Sequence, residues 1–183
     1  YNSYLKGEEP GLPDLPIQYK DYAEWERSRE NEKRLKAQEQ YWLKELSGEL
    51  PVLDLPADQP RPPVLTYRGK QEAVILDRPV YSFFQKLKQD QDTTLFVVLL
   101  SAFTLFLSRL SGSKDVIVGS VATNRKYSEL DNSIGLLFNI IALRFQFDSQ
   151  INFSDLVGQV REKVVNGFAN GEYSFDRLIE KLN

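Results

Sequence analysis

The sequence contains no cysteine, no histidine and no methionine. Without cysteine there are no disulfides and no thiolate metal sites, and the redox compartment is left open. Without histidine the usual general base near neutral pH is missing, together with the commonest metal ligand. Chemistry confined to these residues would have to rest on carboxylates, lysine, tyrosine, serine or threonine. No G-x-S-x-G elbow, no G-x-x-x-x-G-K-[ST] loop and no G-x-G-x-x-G run is present. On its own residues the chain does not read as a self-sufficient enzyme. The missing methionine extends to position 1, so the expectation is that Tyr1 is a processed or truncated end.

A long hydrophobic span is also lacking. The most apolar stretch, Leu95 to Leu110, is interrupted by Ser101, Thr104, Ser108 and Arg109, and a membrane span needs about 20 mostly apolar residues. A buried helix is expected there, with no membrane partner. No signal peptide precedes it, which makes a cytoplasmic location the expectation. The net charge is −3 with both signs interspersed, so there is no basic stripe for a nucleic acid to bind.

What is present suits a folded domain. Hydrophobic residues make up 42% of 183, enough for a real core in one domain or one lobe of a larger one. Residues 1–17 are turn-rich, with Pro10, Gly11, Pro13 and Pro16. From Gln18 to about Leu46 the pattern is helical, apolar at both ends and polar between, with acid-first pairs Glu30–Arg34 and Glu32–Lys36. Such a helix either crosses between two packed units or lies on a surface with a solvated face.

Five of the nine prolines fall in "LPVLDLPADQPRPP", residues 50–63, which reads as an extended linker. Beyond it "RGKQEAVIL" (68–76) predicts a strand. Asp77 then caps a helix whose apolar stripe is Val80, Phe83, Phe84 and Leu87. Thr93 or Thr94 caps the apolar helix. "DVIVGSVA" (115–122) predicts a buried strand, and a second strand contains Asn139. Helices follow from Asn152 or Ser154 to about Phe168 and over residues 174–182. The fold class is therefore α/β, a mixed sheet with packed helices. The expected division is residues 1–49 with the crossover helix, a linker over 50–66, and an α/β sandwich over 67–183.

Two residues stand out as candidates. "IGLLFNIIALRF" (134–145) places one amide, Asn139, in an otherwise apolar run. Left unpaired in a buried strand it would cost about 1–3 kcal/mol. Either neighbouring backbone satisfies it, or it points into a cavity to hold a substrate. Arg125, in the loop before that strand, is either in an ion pair or in contact with a ligand.

Several segments together resemble the condensation domains of nonribosomal peptide synthetases. "LPIQYKDYAEW" (15–25) resembles that family's Tyr-x-Asp-Phe/Tyr-Ala-x-Trp motif through Tyr19, Asp21, Tyr22 and Trp25. The acidic, proline-rich stretch after the long helix is similar as well. "VGSVATNRKYSELDNSIGLLFN" resembles the family's Val-Gly-x-x-x-x-x-Asn/Gly-Arg loop, which ends on Arg125, and its Ile-Gly-x-Phe-Val-Asn-Thr motif, which contains Gly135 and Asn139. "NGEYSFDRLIEKL" (170–182) resembles the later His-Gln-Asp-x-Pro-Phe-Glu motif, of which Phe175 is kept. Asn170, Gly171, Glu172, Ser174 and Asp176 depart from it, Ile140 stands in place of a threonine, and Leu137–Phe138 stands in place of Phe-Val.

The resemblance implies a chloramphenicol-acetyltransferase-like pair of lobes with a tunnel between them. Two phosphopantetheine arms on peptidyl carrier proteins enter that tunnel as substrates, and no cofactor is bound directly. It further implies a His-His-x-x-x-Asp-Gly motif before Tyr1, so no catalytic residue is expected within this chain. Asn139, Gly135 and Arg125 would line or support the tunnel, and Tyr19, Asp21, Tyr22, Trp25 and Phe175 would be structural. The expected partners are carrier proteins, the other lobe and a neighbouring adenylation domain. Self-association is expected through Tyr19, Tyr22, Trp25, Tyr41 and Trp42 if the crossover helix exposes them. Epimerisation, heterocyclisation and free-standing acyltransferase domains share the fold, and a noncatalytic carrier-docking module would retain it too.

Overall fold

A computed structural model describes every residue except Pro13, Arg61, Leu65, Ser149 and Asn183. The turn expected at Pro13, and the linker at Arg61 and Leu65, therefore lie outside the described residues. In chain order the helices and strands are α1 (Asn2–Leu5), α2 (Tyr19–Glu26), α3 (Arg29–Glu45), α4 (Arg78–Asp90), α5 (Leu95–Ser111), β1 (Asp115–Thr123), β2 (Phe138–Gln146), α6 (Phe153–Ala169) and α7 (Phe175–Leu182).

The helix expected from Gln18 to Leu46 is two helices. Ser28 ends the first by capping the second, its Oγ accepting from the Asn31 backbone N–H at 3.2 Å. Asn31 bridges the break: its Nδ2 donates to the Glu26 carbonyl at 2.9 Å, and its Oδ1 accepts from Arg34. A buried Asn31–Leu35–Trp42 stripe then gives α3 an inner face. The pairs Glu30–Arg34 and Glu32–Lys36 do not form among the described residues; Arg34 turns instead to Glu172. The other caps follow the sequence: Asp77 accepts from Val80 N, Thr94 from Val97 N and Asn152 from Asp155 N. Gly112 closes α5 with φ +69°, a conformation glycine adopts without cost.

β1 and β2 form an antiparallel pair with Asp115 opposite Gln146 and Thr123 opposite Phe138. The helices pack on this sheet to give a mixed α/β arrangement, with Val97 and Val98 of α5, Leu156, Val157 and Val160 of α6, Ile141, Leu143 and Phe145 of β2 and Trp42 of α3 in one core. No single helix among the described residues is long and apolar enough to cross a membrane. The buried hydroxyls of α5 bond back into the helix, Ser101 to the Val97 carbonyl and Thr104 to the Ser101 carbonyl.

Three sequence expectations are corrected. Residues 68–76 form no strand; Val74 and Ile75 are exposed, and β1 and β2 pair only with each other among the described residues. A strand needs a neighbour for its backbone groups, and none of the described residues provides one for 68–76. β1 is half-buried instead of buried: Val116 and Ala122 point inward while Val121 faces out. In β2 the period of two decides burial. Leu137, Ile141, Leu143 and Phe145 are inside, whereas Ile134, Leu136, Phe138 and Ile140 are exposed.

The large exposed apolar side chains also lie elsewhere than expected. Of the five aromatics expected to be exposed, Tyr19 is; Tyr22 and Trp42 are buried, and Trp25 and Tyr41 are half-buried. Phe96, Leu99, Phe103, Phe106 and Leu110 instead run along the open face of α5, and Val80 and Phe83 of α4 are exposed as well. Of the α4 stripe, Phe84 and Leu87 pack inward.

Candidate functional site

Asn139 stands one residue into β2, opposite Ala122. It shares the inner face with Leu137 and Ile141, at the end where α6 gives way to residues 170–174. Its amide is fully engaged there. Nδ2 donates to the Gly171 carbonyl at 3.0 Å and to the Tyr173 carbonyl at 2.6 Å, and Oδ1 accepts from Phe175 N–H at 3.1 Å. The partners are thus three backbone groups of the turn into α7. Phe175 contributes its N–H to this arrangement and packs its ring at the edge of the core.

Helix α3 grips the same turn from the other side. The Trp42 indole N–H donates to the Asn170 carbonyl at 2.8 Å. Gln38 Oε1 accepts from both Glu172 N–H and Tyr173 N–H, at 3.1 and 3.0 Å. Tyr173 O–H donates to Glu39 at 3.0 Å. Arg34 and Lys126 both reach the Glu172 carboxylate, Lys126 at 2.6 Å. Gly171 is held so close to Ala122 that a Cβ would stand 3.0 Å from its methyl group. Sequence reasoning missed these α3 residues, although Arg34, Gln38 and Trp42 recur every four positions and so share one helix face.

The electrostatics hold the turn in one charge state at neutral pH. Burial pushes the Glu172 carboxyl up, but hydrogen bonds from Arg34 and Lys126 outweigh it and keep the group below its ordinary value. Burial, then the Glu39 carboxylate, pushes Tyr173 up to about 12. A depressed carboxyl adds stability that is fully present above its unfolded value and is lost as pH falls through the folded one. Glu172→Gln is therefore expected to cost about 1–2 kcal/mol at neutral pH, discounted because Arg34 and Lys126 are half open to water. That difference should shrink as pH falls from neutral through the lowered range of the folded carboxyl, and be gone once Glu172 is protonated in both states. Thermal melts of both proteins between these limits check it; a gap that stays constant with pH would sink the argument.

Arg125 forms no ion pair among the described residues. Its guanidinium donates to the carbonyls of Leu130, Asp131 (3.3 Å) and Ser133 (2.9 Å), which folds residues 125–133 into a closed loop. Beside it the buried Asn124 Oδ1 has no hydrogen-bond partner among the described residues. Gly135 lies directly under the Tyr19 ring, where a Cβ would collide with the ring carbons. Tyr22, Leu130 and Leu137 form a small second core with Ile17 and Trp25 at its margin. Asp21 accepts from Gln18 N–H at 2.8 Å and so fixes the start of α2. The structure therefore gathers Asn139 and Phe175 at the turn and the remaining sequence candidates in an adjoining cluster.

The fold is shared with condensation-type domains. The X-domain from teicoplanin biosynthesis superposes with a TM-score of 0.88 at 22% identity, over 98% of this chain and 41% of that one. A four-domain nonribosomal peptide synthetase bound to AMP and glycine gives a TM-score of 0.75 at 26% identity, over 79% of this chain and 11% of that one. In sequence, surfactin synthase subunit 1 of Bacillus subtilis (strain 168) is 39% identical over 178 residues, which are 97% of this chain and 5% of that protein. The chain thus spans a small part of the synthetase it matches. The sequence matches the condensation domain family over residues 1–183, and the chain belongs to that family.

Proposed function

We infer that these residues form one wall of the tunnel in which a nonribosomal peptide synthetase joins two carrier-bound substrates. The amine of the acceptor residue attacks the thioester carbonyl of the donor, the donor's C–S bond breaks as the amide C–N bond forms, and the thiol of the donor's phosphopantetheine arm leaves with the proton lost by the amine. Residues outside this chain supply the base, a pair of histidines being the family's choice. Asn139 and the turn at 170–175 orient that wall. Neither Glu172, ion-paired, nor Tyr173, protonated, is poised to move a proton near neutral pH.

Residues 1–49, the linker over 50–66 and the unit over 67–183 divide the work in this reading. α2 and α3 carry the chain across to the α/β unit, and carrier proteins, the other lobe and an adenylation domain are its neighbours in a cytoplasmic assembly. The observation that carries the reading is the amide of Asn139, fixed by three backbone partners in a sequence context typical of the family.

Asn139→Ala leaves two carbonyls and one N–H unpaired in a half-buried turn. We expect about 2 kcal/mol of lost stability. In the synthetase that carries this sequence we also expect at least a tenfold loss of amide-bond formation. Asn139→Asp keeps the acceptor for Phe175 N–H but sets a carboxylate against two carbonyl oxygens, and should be no better. Wild-type condensation by both variants would overturn the role, and condensation by the 183-residue chain alone would overturn the assignment of the base.

A further inference from the structure

The Tyr-x-Asp-Tyr-Ala-x-Trp segment has no part in the chemistry above, yet it builds a cavity of its own. Asp21, Tyr22 and Trp25 of α2, with Ile17 before them, face Tyr127, Glu129 and Leu130 of the loop that Arg125 closes, around about 450 Å³. That lies within the range of about 300–1,000 Å³ found for binding pockets. Three aromatic rings form a continuous wall. Tyr22 and Trp25 lie 5.8 Å apart, and Tyr127 meets Trp25 edge-on at 5.5 Å. The charged residues that line the cavity are both acidic, Asp21 and Glu129.

Three basic residues beside the groove are already occupied. Arg125 is bound to backbone carbonyls, Lys126 to Glu172, and Arg34 to Glu172 and Asn31. Arg34 also stacks on the Trp25 ring, its Cζ 5.3 Å from the ring centroid, so this indole already accepts a guanidinium. An apolar, electron-rich wall with carboxylates at its rim complements an aliphatic stem that ends in a positive charge.

We propose that this groove docks a basic segment of a partner polypeptide, taking a lysine or arginine side chain against Trp25 and Tyr127 with its charge between Asp21 and Glu129. The stem covers the rings and the cation meets both the aromatic faces and the carboxylates, which an uncharged side chain of equal length does not do. The groove is built from residues separate from the turn held by Asn139, so this inference and the condensation reading can fail independently.

The test is an NMR titration of the full 183-residue chain with a synthetic peptide, acetyl-Leu-Lys-Leu-Lys-Leu-amide, and with its glutamine counterpart. The chain has two tryptophans. Trp25 reports the groove, and the buried Trp42 indole, bonded to Asn170, serves as the internal reference. The lysine peptide should shift the Trp25 indole signal saturably, at least tenfold more tightly than the glutamine peptide, and leave Trp42 unmoved. Glu129→Gln, at an exposed position, should weaken binding at least threefold, and Tyr127→Ala should abolish it without changing the rest of the spectrum. Equal binding of the two peptides, a Trp25 signal that does not move, or Glu129→Gln binding as wild type would overturn the proposal. A Trp25 shift that follows chain concentration alone would also overturn it, by assigning the groove to a second copy.

Discussion

Trp42→Ala should be the most damaging single substitution in the chain, at about 3–5 kcal/mol. The side chain is 2% exposed and lies at the centre of the core, between α3, β2 and the end of α6. Two losses combine. The first is the cavity left by the indole, which Gly167, 3.5 Å from the ring at its Cβ position, has no side chain to fill. The second is the hydrogen bond to Asn170, which frees one carbonyl of the turn. In a protein of this size the melting temperature should fall by about 10–15 °C. Trp42→Phe keeps most of the volume and loses the bond, so it should cost about 1–2 kcal/mol more than packing loss alone. Calorimetry on both variants separates the terms. A drop of only a few degrees for the alanine variant would mean that α3 is not anchored through this residue.

Arg144→Ala comes next, at about 3 kcal/mol. Arg144 is 9% exposed and makes a forked contact with Asp115 across the strand pair, Nε at 3.0 Å and Nη2 at 2.6 Å. The same guanidinium donates to the Ser47 and Glu49 carbonyls, at 2.7 and 2.8 Å. It therefore ties the chain leaving α3 to the far end of the sheet. Burial raises the Asp115 carboxyl, and the bonds from Arg144 and Gln146 more than reverse this, holding it below its ordinary value. Removing the arginine leaves a half-buried carboxylate with one amide partner and two carbonyls with none. Arg144→Lys keeps the charge but not the fork, and should recover less than half of the loss. Urea unfolding is the measurement. A shift in midpoint at unchanged slope is expected, and a loss under about 1 kcal/mol would make this a surface ion pair of little consequence.

Neither Trp42 nor Arg144 was marked as decisive by its sequence context, and the reason is the same for both. Their partners, Asn170 for one and Asp115, Ser47 and Glu49 for the other, are distant along the chain. Local spacing carries no information about such pairs. The caps at Asp77, Thr94 and Asn152 were legible because a cap and the N–H it accepts from are three residues apart. The strand pair was legible from its apolar runs, but its burial was not. Whether Val121, Phe138 or Ile140 faces a neighbour depends on what packs against the sheet.

The candidate site divides along the same line. That Asn139 needs partners followed from an amide in an apolar run. That those partners are the backbone of residues 171–175, with α3 gripping the same turn, required the fold. Residues 68–76 show the limit from the other side. Their β-like composition is real, yet composition cannot supply a neighbouring strand.

By itself, then, the sequence determined what depends on local chemistry: helix starts, apolar faces, the absence of histidine and thiol chemistry, and the motifs that resemble the family. Tertiary structure alone decided what depends on closing long loops of chain. That includes the clasp around residues 170–175, the ion pairs of Arg34 and Arg144, and the aromatic groove between α2 and the Arg125 loop. Each of these is a contact between groups whose separation in sequence leaves their meeting to the packing of the whole core.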